Sequence, residues 1–202
     1  MSSPPKVLFL PGAGGDPQFW RPAGDRLPSN WSKTYLAWPG LGAQSPVDGV
    51  AGLDGLVGIV ESHLGREVVD LVAQSMGGVV ALLTAIKNPA RVRRLVLCVT
   101  SGGIPMDGLG AHDWREDYHT AFPNASDWIY SSIPDLTQSL VKIIHPVQLI
   151  WGGSDPISPI AVGKRLEALL TGASMCIVEG GDHDLAVVHA DEVAQIIERH
   201  LR

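Results

Sequence analysis

Short apolar segments alternate with segments of helical periodicity along most of the chain. Six runs rich in aliphatic and β-branched residues are each bounded by Gly, Pro or Ser, which is typical of buried parallel strands. These runs are Val7–Leu10, Thr34–Trp38, Val68–Ala73, Arg94–Thr100, Val147–Trp151 and Met175–Val178. Between them, apolar residues recur at helical spacing, as at Leu53, Leu56, Val57, Val60 and Leu64, and again at Val193, Ile196, Ile197 and Leu201. The alternation predicts a single α/β domain over residues 1–202, with a mostly parallel central sheet of about six strands flanked by helices.

One stretch, residues 101–145, interrupts this alternation. It contains no strand-like run, and Trp114, Tyr118 and Phe122 recur in it every four residues, followed by Trp128. That spacing places the first three rings on one face of a short helix. Since an insertion of this length between two core strands exceeds what a compact α/β unit requires, we expect a cap whose four rings contact substrate. The alternative is a surface helix that packs its own apolar face against the core.

A serine with small neighbours lies at the end of the third predicted strand. Ser75 follows that strand and precedes a helical run, with Ala73 two positions before it and Gly77 two positions after it. This is the pattern of a nucleophile elbow, a sharp strand-to-helix turn at which larger flanking side chains would collide with their neighbours. The pattern usually has Gly at the position of Ala73. In this context it favours Ser75 as a nucleophile over the simpler role of a helix N-cap.

A serine hydroxyl is a weak nucleophile at neutral pH, so it needs a base and an orienting acid. Among the seven histidines, His183 follows the last predicted strand through a Gly-rich loop, at the same sheet edge as Ser75. Asp155 follows the fifth predicted strand at that edge. We prefer it to Asp182 and Asp184, because residues adjacent to a histidine in sequence seldom orient its ring.

The oxyanion of an acyl-transfer transition state needs two N–H donors. The N–H of Met76, at the start of the helix after Ser75, is the first candidate. The Gly-rich segment 11–15 after the first strand supplies the second, with Ala13 as first choice and Gly14 behind it. This segment lacks the Lys-Ser/Thr of a phosphate-binding loop and the third Gly of a dinucleotide fingerprint, so we expect no nucleotide cofactor.

Five motifs in order give the chain its resemblance to the α/β-hydrolase superfamily, from about residue 6 to the end. They are the Pro11–Gly15 loop, the turn at 39–45, the Ser75 elbow, Gly153-Ser154-Asp155 and Gly181-Asp182-His183. The order Ser, Asp, His is also that of the superfamily. The chain departs from it at Pro11, where His is common, and in having no candidates for the usual opening antiparallel strands.

The resemblance implies a serine hydrolase that cleaves a carboxylic ester or a related acyl bond through an acyl-enzyme. It implies Ser75, Asp155 and His183 as catalytic residues, with Ala13 and Met76 as backbone donors to the oxyanion. Three alternatives stay open. One is a thioesterase, since residues 10–15 and 19–22 look like the opening of thioesterases that serve polyketide and peptide synthases. The others are a lyase or cofactor-free oxygenase, and a ligand receptor with slow turnover.

Charge and composition restrict the partners. The chain has 15 Lys and Arg against 21 Asp and Glu, a formal net charge of −6, and no basic run. We therefore expect a small-molecule acyl substrate, with no nucleic acid and no membrane as partner. The Cys and His residues have no metal-ligand spacing, so we expect neither metal nor cofactor. The first apolar run is only Val7–Leu10, shorter than a signal peptide requires, which favours a cytoplasmic location.

Overall fold

The computed structural model describes residues 4–131 and 133–202. Within them the chain forms six strands: β1 (Lys6–Leu10), β2 (Ser32–Tyr35), β3 (Val69–Gln74), β4 (Val92–Cys98), β5 (Val147–Gly152) and β6 (Ala173–Val178). The same residues form seven α-helices: α1 (Arg21–Gly24), α2 (Leu53–Leu64), α3 (Met76–Lys87), α4 (Arg115–Ala121), α5 (Ile160–Leu169), α6 (Leu185–Val188) and α7 (Ala190–Leu201). The predicted α/β class and parallel sheet are confirmed. None of these helices is both long enough and apolar enough to span a membrane.

The six strands form one sheet in the order β2-β1-β3-β4-β5-β6, and every neighbouring pair is parallel. The order reverses between β1 and β3, because the connection after β1 runs to one side and all later connections run to the other. In open α/β sheets, ligands bind in the crevice at the carboxyl ends of the strands where the order reverses. The loops that follow β1 and β3 meet at this crevice.

Helices cover both faces of the sheet. All residues of β3 and β5 are buried, as expected for central strands of a parallel sheet. Helices α3 and α7 both pack on β4, one from each face, and α1 contacts α6 and α7 on the side of α7. The predicted apolar stripes face this core, since Leu56, Val57, Val60 and Leu64 of α2 and Val193, Ile196, Ile197 and Leu201 of α7 are buried.

Two strands end earlier than the sequence predicts, and each for a local reason. The second strand ends at Tyr35 instead of Trp38. The backbone N–H of Trp38 donates to the carbonyl of Gly15 in the loop after β1, so Trp38 has left the sheet ladder. The fourth strand ends at Cys98, because Val99 has a φ of +43°, a left-handed conformation that no strand residue adopts.

The segment 101–145 connects β4 to β5 and holds α4, followed by short 3-10 helices at Asp127–Tyr130 and Thr137–Lys142. None of its described residues belongs to a strand. Trp114 and Phe122 flank α4 directly, and Tyr118 lies within it. The ring of Tyr118 contacts Trp114 edge-on, with centroids 5.5 Å apart, and lies 5.0 Å from Phe122. The predicted helical stripe of aromatic residues is therefore present.

Candidate active site

Ser75 lies on a strained turn between β3 and α3. Its φ is +52°, and its N–H donates to the carbonyl of Cys98 at 2.9 Å, which holds the turn against the end of β4. A Cβ at Gly77 would lie 2.4 Å from the carbonyl oxygen of Pro11, so the helix can approach the β1 loop only with Gly there. Ala73, by contrast, is buried within β3, where a methyl group is accommodated. A strained strand-to-helix turn with small flanking residues is the backbone arrangement that the sequence predicts at Ser75.

The imidazole of His183 lies between Ser75 and Asp155. Its Nε2 is 3.0 Å from the Ser75 hydroxyl oxygen, and its Nδ1 is 2.7 Å from Oδ2 of Asp155. Because a carboxylate only accepts hydrogen bonds, a neutral imidazole in this position donates its Nδ1–H to Asp155 and presents the lone pair of Nε2 to Ser75. An imidazole so oriented can accept the hydroxyl proton of Ser75.

Asp155 is fully buried as a side chain, and both of its oxygens are used. Oδ1 accepts the backbone N–H groups of Ile157 at 2.8 Å and Ser158 at 3.1 Å, which fixes the plane of the carboxylate. Oδ2 accepts a hydrogen bond from Nδ1 of the His183 ring. The loop after β5 thus aims one oxygen of Asp155 at the loop after β6.

The loop after β1 lies opposite Ser75, with its carbonyl groups hydrogen-bonded. The carbonyl of Gly12 accepts the N–H of Gly15 at 3.1 Å, and that of Pro11 accepts the Trp38 indole at 2.7 Å. Met76 is the first residue of α3, so its N–H has no acceptor within the helix. The N–H groups of Ala13 and Met76 therefore belong to two backbone segments that border Ser75, at the place where an oxyanion hole is expected.

A cavity of about 940 Å³ opens above Ser75 and His183. The loop after β1 forms one side of it, and the segment 101–145 contributes Met106, Trp114, Tyr118 and Trp128. Four aspartates also line it: Asp16, Asp54, Asp117 and Asp184. Among the described residues that line the cavity, none is Lys or Arg. The result is a largely apolar pocket with an acidic border.

The comparison with protein families decides the family of this chain. The profile of the alpha/beta hydrolase family matches residues 7–127, more than half of the sequence. The chain belongs to the alpha/beta hydrolase family. The predicted resemblance, and the prediction of an enzyme of this class, are confirmed.

Relatives and solved structures agree with this family. The pimeloyl-[acyl-carrier protein] methyl ester esterase of Neisseria meningitidis serogroup B is 27% identical over 240 residues, covering 95% of this chain and 90% of the relative. A bacterial membrane phospholipase A superposes with a TM-score of 0.83 at 21% identity, covering 100% of this chain and 79% of its own. The esterase EaEST from Exiguobacterium antarcticum has a TM-score of 0.80 at 16% identity, covering 100% and 93% respectively. These structures show the alpha/beta hydrolase fold.

The aromatic residues predicted as substrate contacts separate into two groups. Trp114, Tyr118 and Trp128 line the cavity of this alpha/beta hydrolase. Phe122 does not line it, so a substrate contact by Phe122 stays a prediction. It lies directly after α4, with its ring centroid 5.0 Å from that of Tyr118.

One side chain beside the site, that of Gln74, was not predicted from the sequence. The buried amide of Gln74 donates to the backbone carbonyl of His183 at 3.2 Å. The same amide lies beside Gly12, where a Cβ would come within 2.2 Å of its oxygen. Gln74 thus packs between the loop after β1 and the loop that carries His183. Its position directly before Ser75 was the available signal, but a residue before a nucleophile has no fixed chemistry.

Proposed function

We propose that this protein is a serine esterase that hydrolyses carboxylic esters of uncharged small molecules through an acyl-enzyme. The observation that carries the proposal is the hydrogen-bonded series from Ser75 to His183 to Asp155, with distances of 3.0 and 2.7 Å, at the floor of an apolar cavity. The named esterase activity of the Neisseria relative supports the same reaction class.

The acylation step uses the hydroxyl of Ser75 and the imidazole of His183. The serine oxygen forms a bond to the ester carbonyl carbon while its proton passes to Nε2 of His183. The carbon–oxygen bond to the alcohol then breaks, and the proton on Nε2 goes to the departing alcohol oxygen. Water repeats the sequence on the acyl-enzyme, with His183 again as base, and releases the acid. Asp155 keeps the ring oriented and stabilises the imidazolium formed in each half-reaction.

The tetrahedral intermediate carries a negative oxygen that needs donors in place beforehand. We assign this role to the backbone N–H groups of Ala13 and Met76. Met76 lies at the start of α3, where the helix dipole also favours negative charge. Donors of this kind act only on the transition state, so their loss lowers kcat far more than it raises KM.

The charges around the cavity favour uncharged or cationic esters over anionic ones. The four aspartates at its border meet no lining Lys or Arg among the described residues. An anionic group in the substrate would meet repulsion that no lining cation offsets. This disfavours coenzyme A thioesters, whose leaving group carries phosphates, and favours neutral oxygen esters such as simple methyl esters.

The segment 101–145 is proposed to act as a short cap inserted in a single α/β domain. Its support is the set of cavity-lining side chains that it contributes, Trp114 and Trp128 among them. These rings supply apolar area for an acyl chain and do not belong to the hydrogen-bonded series. The cap would therefore set which chain fits, while the sheet edge carries out the chemistry.

The test combines a covalent probe with an ester series. Wild-type protein should react with a fluorophosphonate probe and hydrolyse p-nitrophenyl and methyl esters, and Ser75→Ala should lose both properties while keeping its circular dichroism spectrum. Ser154→Ala, which changes an exposed serine beside Asp155, is the matched control and should behave as wild type. Labelling or turnover that persists in Ser75→Ala would refute the assignment of the nucleophile. Faster turnover of acyl-coenzyme A than of oxygen esters would refute the substrate class.

A further inference from the structure

The hydroxyl of Tyr118 joins the segment 101–145 to the loop after β1. It donates to the backbone carbonyl of Ala13 at 2.8 Å and accepts the N–H of Gly42 at 2.8 Å. The residue as a whole is buried, although its ring borders the cavity. One phenol therefore connects two loops that lie 105 and 76 residues away in the chain.

These two hydrogen bonds occupy the hydroxyl and leave it no proton for a substrate. A phenol has one O–H to donate, and Tyr118 spends it on Ala13. A phenol keeps its proton at neutral pH, and burial raises the pKa of the Tyr118 phenol further above its ordinary value. The edge-on Trp114 ring and the tilted Phe122 ring both contact the Tyr118 ring and limit its movement. Only the ring of Tyr118 is thus available to an acyl chain.

The carbonyl that Tyr118 holds belongs to the loop assigned to the oxyanion. A peptide group is planar and trans, so its C=O and N–H point in opposite directions. Fixing the Ala13 carbonyl therefore fixes the direction of the Gly14 N–H, and it restrains the backbone torsion that follows the Ala13 N–H. The preceding peptide is already held, because the Gly12 carbonyl accepts the N–H of Gly15. Tyr118 holds the next peptide group, the one between Ala13 and Gly14.

Gly42 brings a second part of the chain against the same loop. Its φ is +54°, and a Cβ there would lie 1.9 Å from the carbonyl oxygen of Gly14. The turn at Gly42 and the loop after β1 are therefore in direct backbone contact. The Tyr118 hydroxyl bridges this contact by bonding once to each side.

We propose that Tyr118 is a positioning residue that preorganises the loop carrying the Ala13 N–H, one of the two backbone donors assigned to the oxyanion. This inference rests on the proposed function and extends it to a residue outside the hydrogen-bonded series of Ser75. It also gives the segment 101–145 a part in the chemistry, through α4, beyond shaping the cavity. Without the phenol oxygen, the Ala13 carbonyl and the Gly42 N–H lose their hydrogen-bond partner. The peptide between Ala13 and Gly14 then moves more freely beside the proposed oxyanion site.

The test is Tyr118→Phe, which keeps the ring and removes only the hydroxyl. We expect kcat for a neutral ester to fall about tenfold to a hundredfold, less than or similar to the loss of one oxyanion donor, while KM stays within about twofold. An alkyl boronic acid, which forms a tetrahedral adduct with the serine, should lose affinity by about the same factor as kcat/KM. The control is Tyr130→Phe, which removes a hydroxyl from the same aromatic cluster but from no contact with the loop, and it should match wild type.

The outcomes separate this inference from the proposed function. If Ser75→Ala is inactive but Tyr118→Phe keeps wild-type kcat, only the positioning role is refuted. A lower kcat with unchanged boronate affinity also refutes it, because a residue that positions an oxyanion donor must affect the tetrahedral adduct as well. If Tyr118→Phe fails to fold, replacement of Tyr118 by 3-fluorotyrosine decides, since it keeps the ring and the hydroxyl but changes the strength of both hydrogen bonds. Equal changes of kcat and boronate affinity in that variant support the role, and wild-type values of both refute it. Persistent turnover in Ser75→Ala would instead refute the proposed function.

Discussion

Oδ2 of Asp155 lies 2.7 Å from Nδ1 of His183, although 28 residues and a complete strand separate them along the chain. The carboxylate is buried, and its other oxygen is held by two backbone N–H groups. Asp182, directly before His183, instead accepts the backbone N–H of His183 at 2.6 Å. The acid that touches the ring is thus the distant one, and the neighbouring acid holds the backbone.

This difference predicts a large loss of kcat for one substitution and a small loss for the other. Asp155→Asn can keep its bonds to the backbone but would present an N–H₂ to Nδ1, which favours the tautomer with the proton on Nε2. We expect kcat to fall about a hundredfold to ten-thousandfold, with a near-normal melting temperature. Asp182→Asn should lose no more than about threefold, because its oxygen can still accept the His183 N–H. Steady-state kinetics on one p-nitrophenyl ester measure both. Equal activity of the two variants would contradict the role assigned to Asp155.

The cavity wall predicts how Trp114 and Phe122 differ. Trp114 borders the cavity, so Trp114→Ala should raise KM for long acyl chains more than for acetyl esters. Each methylene that loses its contact is worth about 0.8 kcal/mol, or about fourfold. Phe122→Ala should lower the melting temperature and affect all chain lengths alike, because the Phe122 ring contacts the Tyr118 ring and does not line the cavity. A chain-length series of esters with thermal melts checks this. A uniform effect of Trp114→Ala across the series would place the acyl chain elsewhere.

The acidic border of the cavity predicts a preference that depends on salt. Between a neutral ester and a matched ester with a free carboxylate, the neutral one should have the lower KM at low ionic strength. Raising the salt to about 0.5 M should narrow the difference, because exposed charges are screened. Asp184→Asn and Asp117→Asn should each lower KM for the anionic ester by about two- to threefold. Asp107 is an exposed aspartate that does not line the cavity. Asp107→Asn makes the same change in net charge and should leave KM for the anionic ester unchanged. A preference that is insensitive to salt and to these variants would mean that shape sets it.

Chelation should leave the activity unchanged. In the proposed mechanism Ser75 is the nucleophile, His183 moves the proton and two backbone N–H groups bind the oxyanion, so no step requires a divalent ion. Incubation with EDTA, followed by an ester assay over several hours, checks this expectation. A loss of activity that one specific divalent ion restores would reveal a further component of the site.

Much of this protein follows from local chemistry that the sequence displays. Apolar runs bounded by Gly and Pro predict the strands, since a buried parallel strand needs apolar residues on both faces. The small residues around Ser75 predict its elbow, because the turn excludes larger side chains. His183 and Asp155 were predicted from their places after strands, since parallel strands bring their carboxyl ends to one edge. Each of these predictions depends on a residue and its near neighbours.

The features that the sequence does not predict depend on contacts between distant parts of the chain. Helical spacing places Trp114, Tyr118 and Phe122 on one face but does not say which part of that face meets open space. The hydroxyl of Tyr118 finds its partners at Ala13 and Gly42, which no spacing along the chain relates to it. Likewise, the turn of Trp38 toward Gly15 ends β2 early through a contact between separate loops.

By itself, the sequence determined the α/β class, the order of strands and helices, and the identity of the residues at the sheet edge, because these depend on local periodicity and turn chemistry. Only the tertiary structure decided which loops meet. The reversal of strand order between β1 and β3 brings the loop after β1 against Ser75, and the path of residues 101–145 places the Tyr118 hydroxyl on that loop. Such contacts join residues up to 105 positions apart. They form because the sheet and its crossovers fix where each strand ends in space, which no local pattern encodes.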